Sequence, residues 1–251
     1  MSSIDRWRNK AAVVTGASSG IGAACAIDLV KSGMIVVALA RREHRLNDLK
    51  NKLPEELRGR IHTIKCDVSK ESDVIKAFKW VDENLDGTHV LVNSAGIFNQ
   101  LELTGKHCTP KIQQSIDTDV MGAVYSVREA FNQMKNRKID GHIVLINSIA
   151  GHYIPRSPFG STNIYTAVKY ATTAMTETYR QEFSKALTNI KITSVSPGAM
   201  DSEIVPNKLF DMVEYTTLKP EDVSSAVVYC ISTPPNVQIH ELTIKPLHEK
   251  F

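Results

Sequence analysis

Tyr165 and Lys169 stand four positions apart in the stretch "STNIYTAVKYATTAM" (161–175) of a 251-residue chain. On a helix the pair shares one face. A free phenol titrates near pH ~10 and a lysine ammonium near ~10.4. An ammonium ~4 Å away favours the phenolate by up to ~4 kcal/mol at an effective dielectric of ~20. That is roughly three pKa units, enough for a phenol to act as general acid or base near neutral pH. The spacing alone is weak evidence, since a chain with this many tyrosines and lysines shows about half an occurrence by chance. Helical spacing puts Thr172, Thr173 and Thr176 near the pair and Ala167, Val168, Ala171, Ala174 and Met175 on the other side. The expectation is a polar stripe that carries the pair, facing a cleft or plain solvent, with the apolar side packed as core. A third candidate is Ser148, at the end of the apolar run "HIVLINS". Its hydroxyl could stabilise charge on a substrate oxygen, or it could be a turn serine that caps the next segment.

These residues need elements to hold them. Short apolar runs rich in β-branched residues occupy 11–16, 34–40, 61–68, 89–96, 142–148 and 190–198. Segments with helical periodicity alternate with them at 21–33, 43–53, 71–84 and about 110–135, and around Tyr165. The stretch "QIHELTIKP" alternates as a late edge strand would. Such alternation implies an α/β fold, a doubly wound, mostly parallel sheet with helices on both faces. No linker or internal repeat divides the chain, so one domain over 1–251 is expected.

Ligands of such sheets bind beyond the strand C-termini. After the first strand comes "TGASSGIG", in which Gly16, Gly20 and Gly22 permit a tight turn, a close backbone approach and tight helix packing. The helix that follows turns its free N–H groups toward a phosphate. A glycine-rich turn with no ligand is the plainer reading of the spacing, and its place between strand and helix counts against that reading. No G-K-[ST] follows, which excludes a P-loop. At the end of the second strand, where an acidic residue would grip a ribose 2′-hydroxyl, stand Ala40, Arg41 and Arg42. Guanidinium groups pair with a 2′-phosphate, which points to NADP rather than NAD. The alternative is that both arginines only solvate a helix start, a slightly unfavourable place for cations.

The remaining composition is ordinary. With 42% apolar residues, 23% charged residues and a net charge of +3, nothing suggests a nucleic-acid partner. No apolar stretch is long enough for a membrane span, and "MSSIDRWRNK" lacks the pattern of a signal peptide. Cys25, Cys66, Cys108 and Cys230 form no metal or CxxC spacing. They read as reduced thiols of a cytoplasmic protein.

Taken in order, "TGASSGIG", "NSAG", Ser148, "YTAVK" and "SPG" resemble the short-chain dehydrogenase/reductase family. The similarity runs over essentially the whole chain. It implies a Rossmann-fold oxidoreductase in which Tyr165 exchanges a proton with a substrate oxygen while hydride moves to or from nicotinamide. Lys169 would tune Tyr165 and hold the nicotinamide ribose, and Ser148 would orient the substrate oxygen. Gly16, Ser18, Gly20, Ile21 and Gly22 match the cofactor loop, Arg41 and Arg42 the 2′-phosphate contacts, and Asp67 and Val68 the adenine site. Asn93, Ala95 and Gly96 match the segment beside the adenosine ribose. Pro197, Gly198 and Ser202 match the nicotinamide side. The family also implies a homodimer or homotetramer.

Three departures stand out. Asp119 occupies the place of the family's fourth catalytic residue, an Asn. An ionised carboxylate accepts hydrogen bonds there but cannot donate, so a weakened or pH-shifted proton relay is expected. Ser94 replaces an Asn of the family's "NNAG" turn. The segment after Gly198 is short beside one group of the family and implies a different or more open lid. The loops 97–107, 149–161 and 199–216 should form the substrate pocket, with a lining suited to an apolar alcohol or ketone of moderate size. The family resemblance implies a farnesol-like terpenoid, a steroid or a retinoid as that substrate. Lys208, Arg156 and His152 read as solvated charges. The rival reading is a nucleotide-binding sensor or scaffold with little turnover.

Overall fold

The computed structural model describes residues 3–99, 101–154, 162–200 and 217–249. Seven parallel strands form one sheet in the order β3-β2-β1-β4-β5-β6-β7. They are β1 (Ala11–Thr15), β2 (Ile35–Ala40), β3 (Ile61–Lys65), β4 (Val90–Asn93), β5 (His142–Ile146), β6 (Lys191–Pro197) and β7 (Glu241–Ile244). The connecting helices are α1 (Gly20–Lys31), α2 (Glu43–Asn51), α3 (Glu71–Asn84), α4 (Thr109–Ser115), α5 (Gly122–Asn136), α6 (Asn163–Lys185) and α7 (Pro220–Ile231). The sheet is parallel throughout, and the expected late strand is its edge.

Strand alternation divides the core. Ala12, Val14, Val36, Ala38, Val90 and Val92 face α1 and α7. Ala11, Val13, Val37, Leu39, Leu91 and Leu145 face α3, α5 and α6. Burial on both faces explains why these strands read as continuous apolar runs. The chain winds outward from β1 to β3, then returns to β4 beside β1 and winds the other way. This leaves a crevice at the switch between β1 and β4. Register aligns its rim: Thr15 pairs with Leu39 and with Asn93, and Asn93 with Leu145.

Three features depart from expectation. First, the helix expected over 110–135 is interrupted. Ile116–Met121 form a π-helical turn between α4 and α5, and the Gly122 N–H donates to the Asp117 carbonyl five residues back. Such wide turns are frequent at functional sites. Gly122 packs so closely that a Cβ would lie 3.0 Å from Val68 Cγ2.

Second, α6 presents the opposite face to the one expected. Val168 is buried, but so are Lys169, Thr172 and Thr176, while Ala167 and Ala174 are exposed. The threonines satisfy their hydroxyls inside the helix, Thr172 on the Val168 carbonyl (3.1 Å) and Thr176 on the Thr172 carbonyl (2.8 Å). Their methyl groups can then pack inward. The pair therefore does not lie on a solvent-facing stripe.

Third, α7 is an element that periodicity did not separate. Pro220 opens it, and the Asp222 carboxylate accepts the Lys219 N–H at 2.8 Å. Both are recognised start signals.

Candidate active site

A cavity of about 620 Å³ fills the crevice. Its floor is the turn from β1 into α1. Gly16 has φ +69°, and a Cβ there would lie 2.8 Å from Ala95 backbone. Gly20 has φ +54°, with nothing within 4 Å of where its Cβ would stand. That is the open cradle a ligand's phosphate needs. Gly22 lies under the loop, where a Cβ would come within 2.5 Å of the Gly16 carbonyl oxygen. Ser19 makes no side-chain cap on α1, so the first-turn N–H groups remain available to an anion.

The second wall is basic. Arg42 donates to Ser18 Oγ (Nη2, 2.9 Å) and Ser19 Oγ (2.8 Å), which fixes its guanidinium over the glycine loop. Arg41 is exposed at the rim. No carboxylate ends β2. Asp67 and Val68 line the wall beyond, with the Asp67 carboxylate accepting from the Ser69 hydroxyl at 2.8 Å. Cys66 also lines it. Burial, then the charges of Asp73 and Asp67, push its thiol up to about 12, so it is no nucleophile at neutral pH.

The turn after β4 is organised by Thr15, a residue that sequence reasoning passed over although it opens the glycine motif. Its hydroxyl donates to Asn93 Oδ1 and accepts from the Ser94 and Ala95 N–H groups, each at 3.1 Å. Ala95 and Gly96 line the cavity, as does Ser94. Asn93 and Gly22 hold the loops from behind and are not among the lining residues. Ser202, and with it 201–216, 155–161 and the residues Arg156 and Lys208, lies outside the described residues.

At the far end Tyr165, Lys169, Ser148 and Asp119 converge on the same cavity with Pro197 and Gly198. Asn163 starts α6 with φ +50°, and its side-chain oxygen, Oδ1, accepts the Tyr165 N–H at 3.1 Å. Lys169 Nζ donates to the Ile146 carbonyl at 3.2 Å and lies 5.5 Å from the Tyr165 ring centroid. Ser148 caps the turn that follows it. Its Oγ accepts the Ala150 N–H at 3.1 Å, and the residue lines the cavity. Phe98, within the loop 97–107 expected at the pocket, lines the cavity and meets the Tyr165 ring edge-on at 5.3 Å. Asn147 was also missed. Its amide donates to Thr173 Oγ1 at 2.9 Å, which locks β5's exit to α6.

The π turn carries Asp119 inward. The residue is 4% exposed. One oxygen, Oδ2, accepts the Ile97 N–H at 3.1 Å. The other, Oδ1, lies 3.9 Å from Lys169 Nζ and has no hydrogen-bond partner. Burial raises the carboxyl from 3.8 to about 6, against the opposing pull of Lys169 and of the Ile97 N–H. A group there changes charge within the working range of most enzymes. His152 does more than meet solvent. Its Nε2 shares a hydrogen bond with buried Ser196 Oγ at 2.9 Å and lies 3.5 Å from Glu241.

A parallel, doubly wound sheet with a glycine turn at its switch point defines the dinucleotide-binding class of α/β proteins. The comparisons agree. The short chain dehydrogenase family model matches residues 10–211. The chain is 51% identical over 248 residues to a farnesol dehydrogenase of Aedes aegypti, covering 99% of this chain and 100% of that one. It is 36% identical over 256 residues to the Homo sapiens dehydrogenase/reductase SDR family member 11, covering 98% and 97%. A solved closed form of serine dehydrogenase complexed with NADP+ matches with TM-score 0.84 and 26% identity over 96% of each chain. This chain belongs to the short-chain dehydrogenase family of oxidoreductases.

Proposed function

We propose that the chain, as one domain over 1–251, is an NADP(H)-dependent oxidoreductase for an apolar alcohol/carbonyl pair, with a farnesol-like terpenoid as the leading substrate and steroids or retinoids as relatives in chemistry. The observation that carries this is that Tyr165, Lys169 and Ser148 share one cavity with the glycine loop and Arg42. The open cradle at Gly20 and the uncapped start of α1 fit a pyrophosphate. Ser18, Arg41 and Arg42 fit a 2′-phosphate, and the serine dehydrogenase neighbour is complexed with NADP+. Asp67 and Val68 would take the adenine, and Ala95 and Gly96 the adenosine ribose. Lys169 would hold the nicotinamide ribose, with Pro197 and Gly198 beside the ring. When bound, the cofactor supplies or accepts the hydride.

The chain's own residues handle the proton. In reduction, the Tyr165 hydroxyl gives its proton to the carbonyl oxygen as hydride reaches the carbonyl carbon. In oxidation, the phenolate takes the proton from the alcohol. Ser148 already accepts from the Ala150 N–H, which leaves its own O–H to donate to the substrate oxygen. Lys169 Nζ stands 5.5 Å from the Tyr165 ring centroid, beside this proton donor. Asp119 faces Lys169 and would modulate the pair. Ile97, Phe98, Ile149 and Met200 give the reacting end an apolar lining.

The test follows absorbance near 340 nm with NADPH and carbonyls, or NADP+ and alcohols. Turnover that disappears in Tyr165→Phe supports the enzyme. Tight cofactor binding with no turnover on any substrate supports instead a sensor or scaffold, a reading favoured only by Asp119 and Ser94. A homodimer or homotetramer is part of the proposal, supported by the exposed outer face of α6, where Ala167, Tyr170 and Ala174 meet solvent. So is a cytoplasmic setting, consistent with four free cysteines. No helix among the described residues is long and apolar enough to cross a membrane.

A further inference from the structure

The segment after β7 returns to the cavity. The Glu249 side chain is 0% exposed, and its Oε2 accepts the Ala199 N–H at 3.0 Å. Glycine at 198 permits this approach, because a Cβ there would overlap the Glu249 carboxylate. The other oxygen, Oε1, faces Lys245 Nζ at 3.5 Å. Lys245 Nζ in turn donates to the Tyr153 hydroxyl at 3.2 Å and lies 5.7 Å from that ring's centroid. Gly198 and Ala199 line one wall of the cleft. Tyr153 follows Ser148, Ile149 and Ala150, which line the other.

The arrangement has an energetic cost. Burial raises the Glu249 carboxyl above its ordinary value, and the Ala199 N–H and Lys245 only oppose that rise. A tail held merely for stability would do as well with an apolar side chain, because a buried ion pair seldom outperforms one. What the carboxylate adds is direction: a charge-assisted bond to one specific N–H.

We propose that Glu249 is a positioning residue which, with Lys245, ties Ala199 on one cleft wall to Tyr153, three residues beyond the segment that forms the other, and so sets the width of the substrate cleft. The proposal rests on the reading of that cleft as an alcohol/carbonyl site. Wild type, Glu249→Gln, Glu249→Ala and Lys245→Ala are compared by hydrogen–deuterium exchange over 150–154 and 197–200. KM and kcat are then measured for alcohols of increasing chain length with NADP+.

Glu249→Gln keeps an oxygen for the Ala199 N–H but gives up the charge that faces Lys245, so it should fall between wild type and Glu249→Ala. Glu249→Ala should speed exchange at Ala199 and raise KM for the preferred alcohol by roughly tenfold, the loss of one charge-assisted hydrogen bond, while kcat holds and chain-length preference flattens. Unchanged exchange at Ala199 overturns the tie. Faster exchange with unchanged KM along the series overturns its role in specificity. Should Glu249→Ala not fold, Lys245→Ala carries the test at Tyr153, and unchanged exchange over 150–154 overturns the proposal there. If wild type turns over no alcohol or carbonyl while exchange at Ala199 still depends on Glu249, the functional reading fails and the tie itself stands.

Discussion

The Asp119 carboxylate lies 3.9 Å from the Lys169 ammonium, yet its nearer oxygen, Oδ1, accepts no hydrogen bond. Two opposite charges this close would ordinarily hold the acid well below its usual range. Here burial outweighs the pairing, because at 3.9 Å the contact is too long for a hydrogen bond and the residue is only 4% exposed. The Lys169 proton donor goes instead to the Ile146 carbonyl. Charge at Asp119 is thus held at a cost, beside the proposed acid/base pair.

The first consequence concerns stability. Folding raises the Asp119 carboxyl from 3.8 to about 6, so the folded state binds its proton more tightly than the unfolded chain does. That contribution is fully present below about pH 3.8 and is lost as pH rises through about 6. At pH 8 the ionised residue is a net cost of at most about 3 kcal/mol. Asp119→Asn removes that cost and keeps an oxygen for the Ile97 N–H. Its melting temperature should exceed wild type by several degrees at pH 8 and match it near pH 4. An equal offset at both pH values would show that ionisation is not the cause.

The second concerns rate. An ionised Asp119, 3.9 Å from the Lys169 ammonium, offsets part of its field at the proposed acid/base pair. Asp119→Asn should therefore speed alcohol oxidation at pH 7 to 8, by roughly three- to tenfold for a partial loss of about 1 kcal/mol of opposing field. An inflection near pH 6 in kcat/KM, belonging to the cluster rather than to one residue, should vanish. If kcat and the pH–rate profile are the same in both proteins, Asp119 does not take part in the proton path.

The middle of the sheet was legible because β1, β4 and β5 are buried on both faces and end in glycine or small polar residues. "AAVVTG" and "HVLVNSAG" carry both their burial and their turns in a few letters. The lining residues followed from those turns, since register in a parallel sheet brings the strand ends to one rim. The rest was set by long-range packing. The π turn at Ile116–Met121 leaves no trace in hydrophobic spacing, yet it directs Asp119 inward. The inverted face of α6 was hidden because threonine counts as polar until its hydroxyl bonds its own helix. Glu249 meets Gly198 across 51 positions of chain, a contact no local pattern encodes.

A third prediction addresses the cofactor. The bonds from Arg42 to Ser18 and Ser19 hold its guanidinium in place before a phosphate arrives, so little entropy is lost on binding. Arg42→Ala should raise KM for NADPH by roughly 10- to 100-fold, the value of a charge-assisted bond, while KM for NADH changes by less than about threefold. The NADPH effect should shrink in high salt. Parallel losses for both cofactors would mean that Arg42 only braces the glycine loop.

The last concerns the substrate wall. Phe98 meets Tyr165 edge-on at 5.3 Å with the rings at 76°, a geometry that contributes about 0.5–1.5 kcal/mol beyond area burial. Phe98 thus confines the Tyr165 ring and supplies apolar surface beside it. Phe98→Ala should lower kcat/KM for long apolar alcohols by roughly tenfold or more as both terms are lost. For a short polar alcohol, which reaches only the Tyr165 hydroxyl, the loss should fall to roughly threefold, the share due to ring positioning alone. Phe98→Leu restores surface but not the edge contact, and should recover the apolar preference without recovering kcat. Equal losses for long and short alcohols in Phe98→Ala would place the residue outside the substrate wall and leave it only a support for Tyr165.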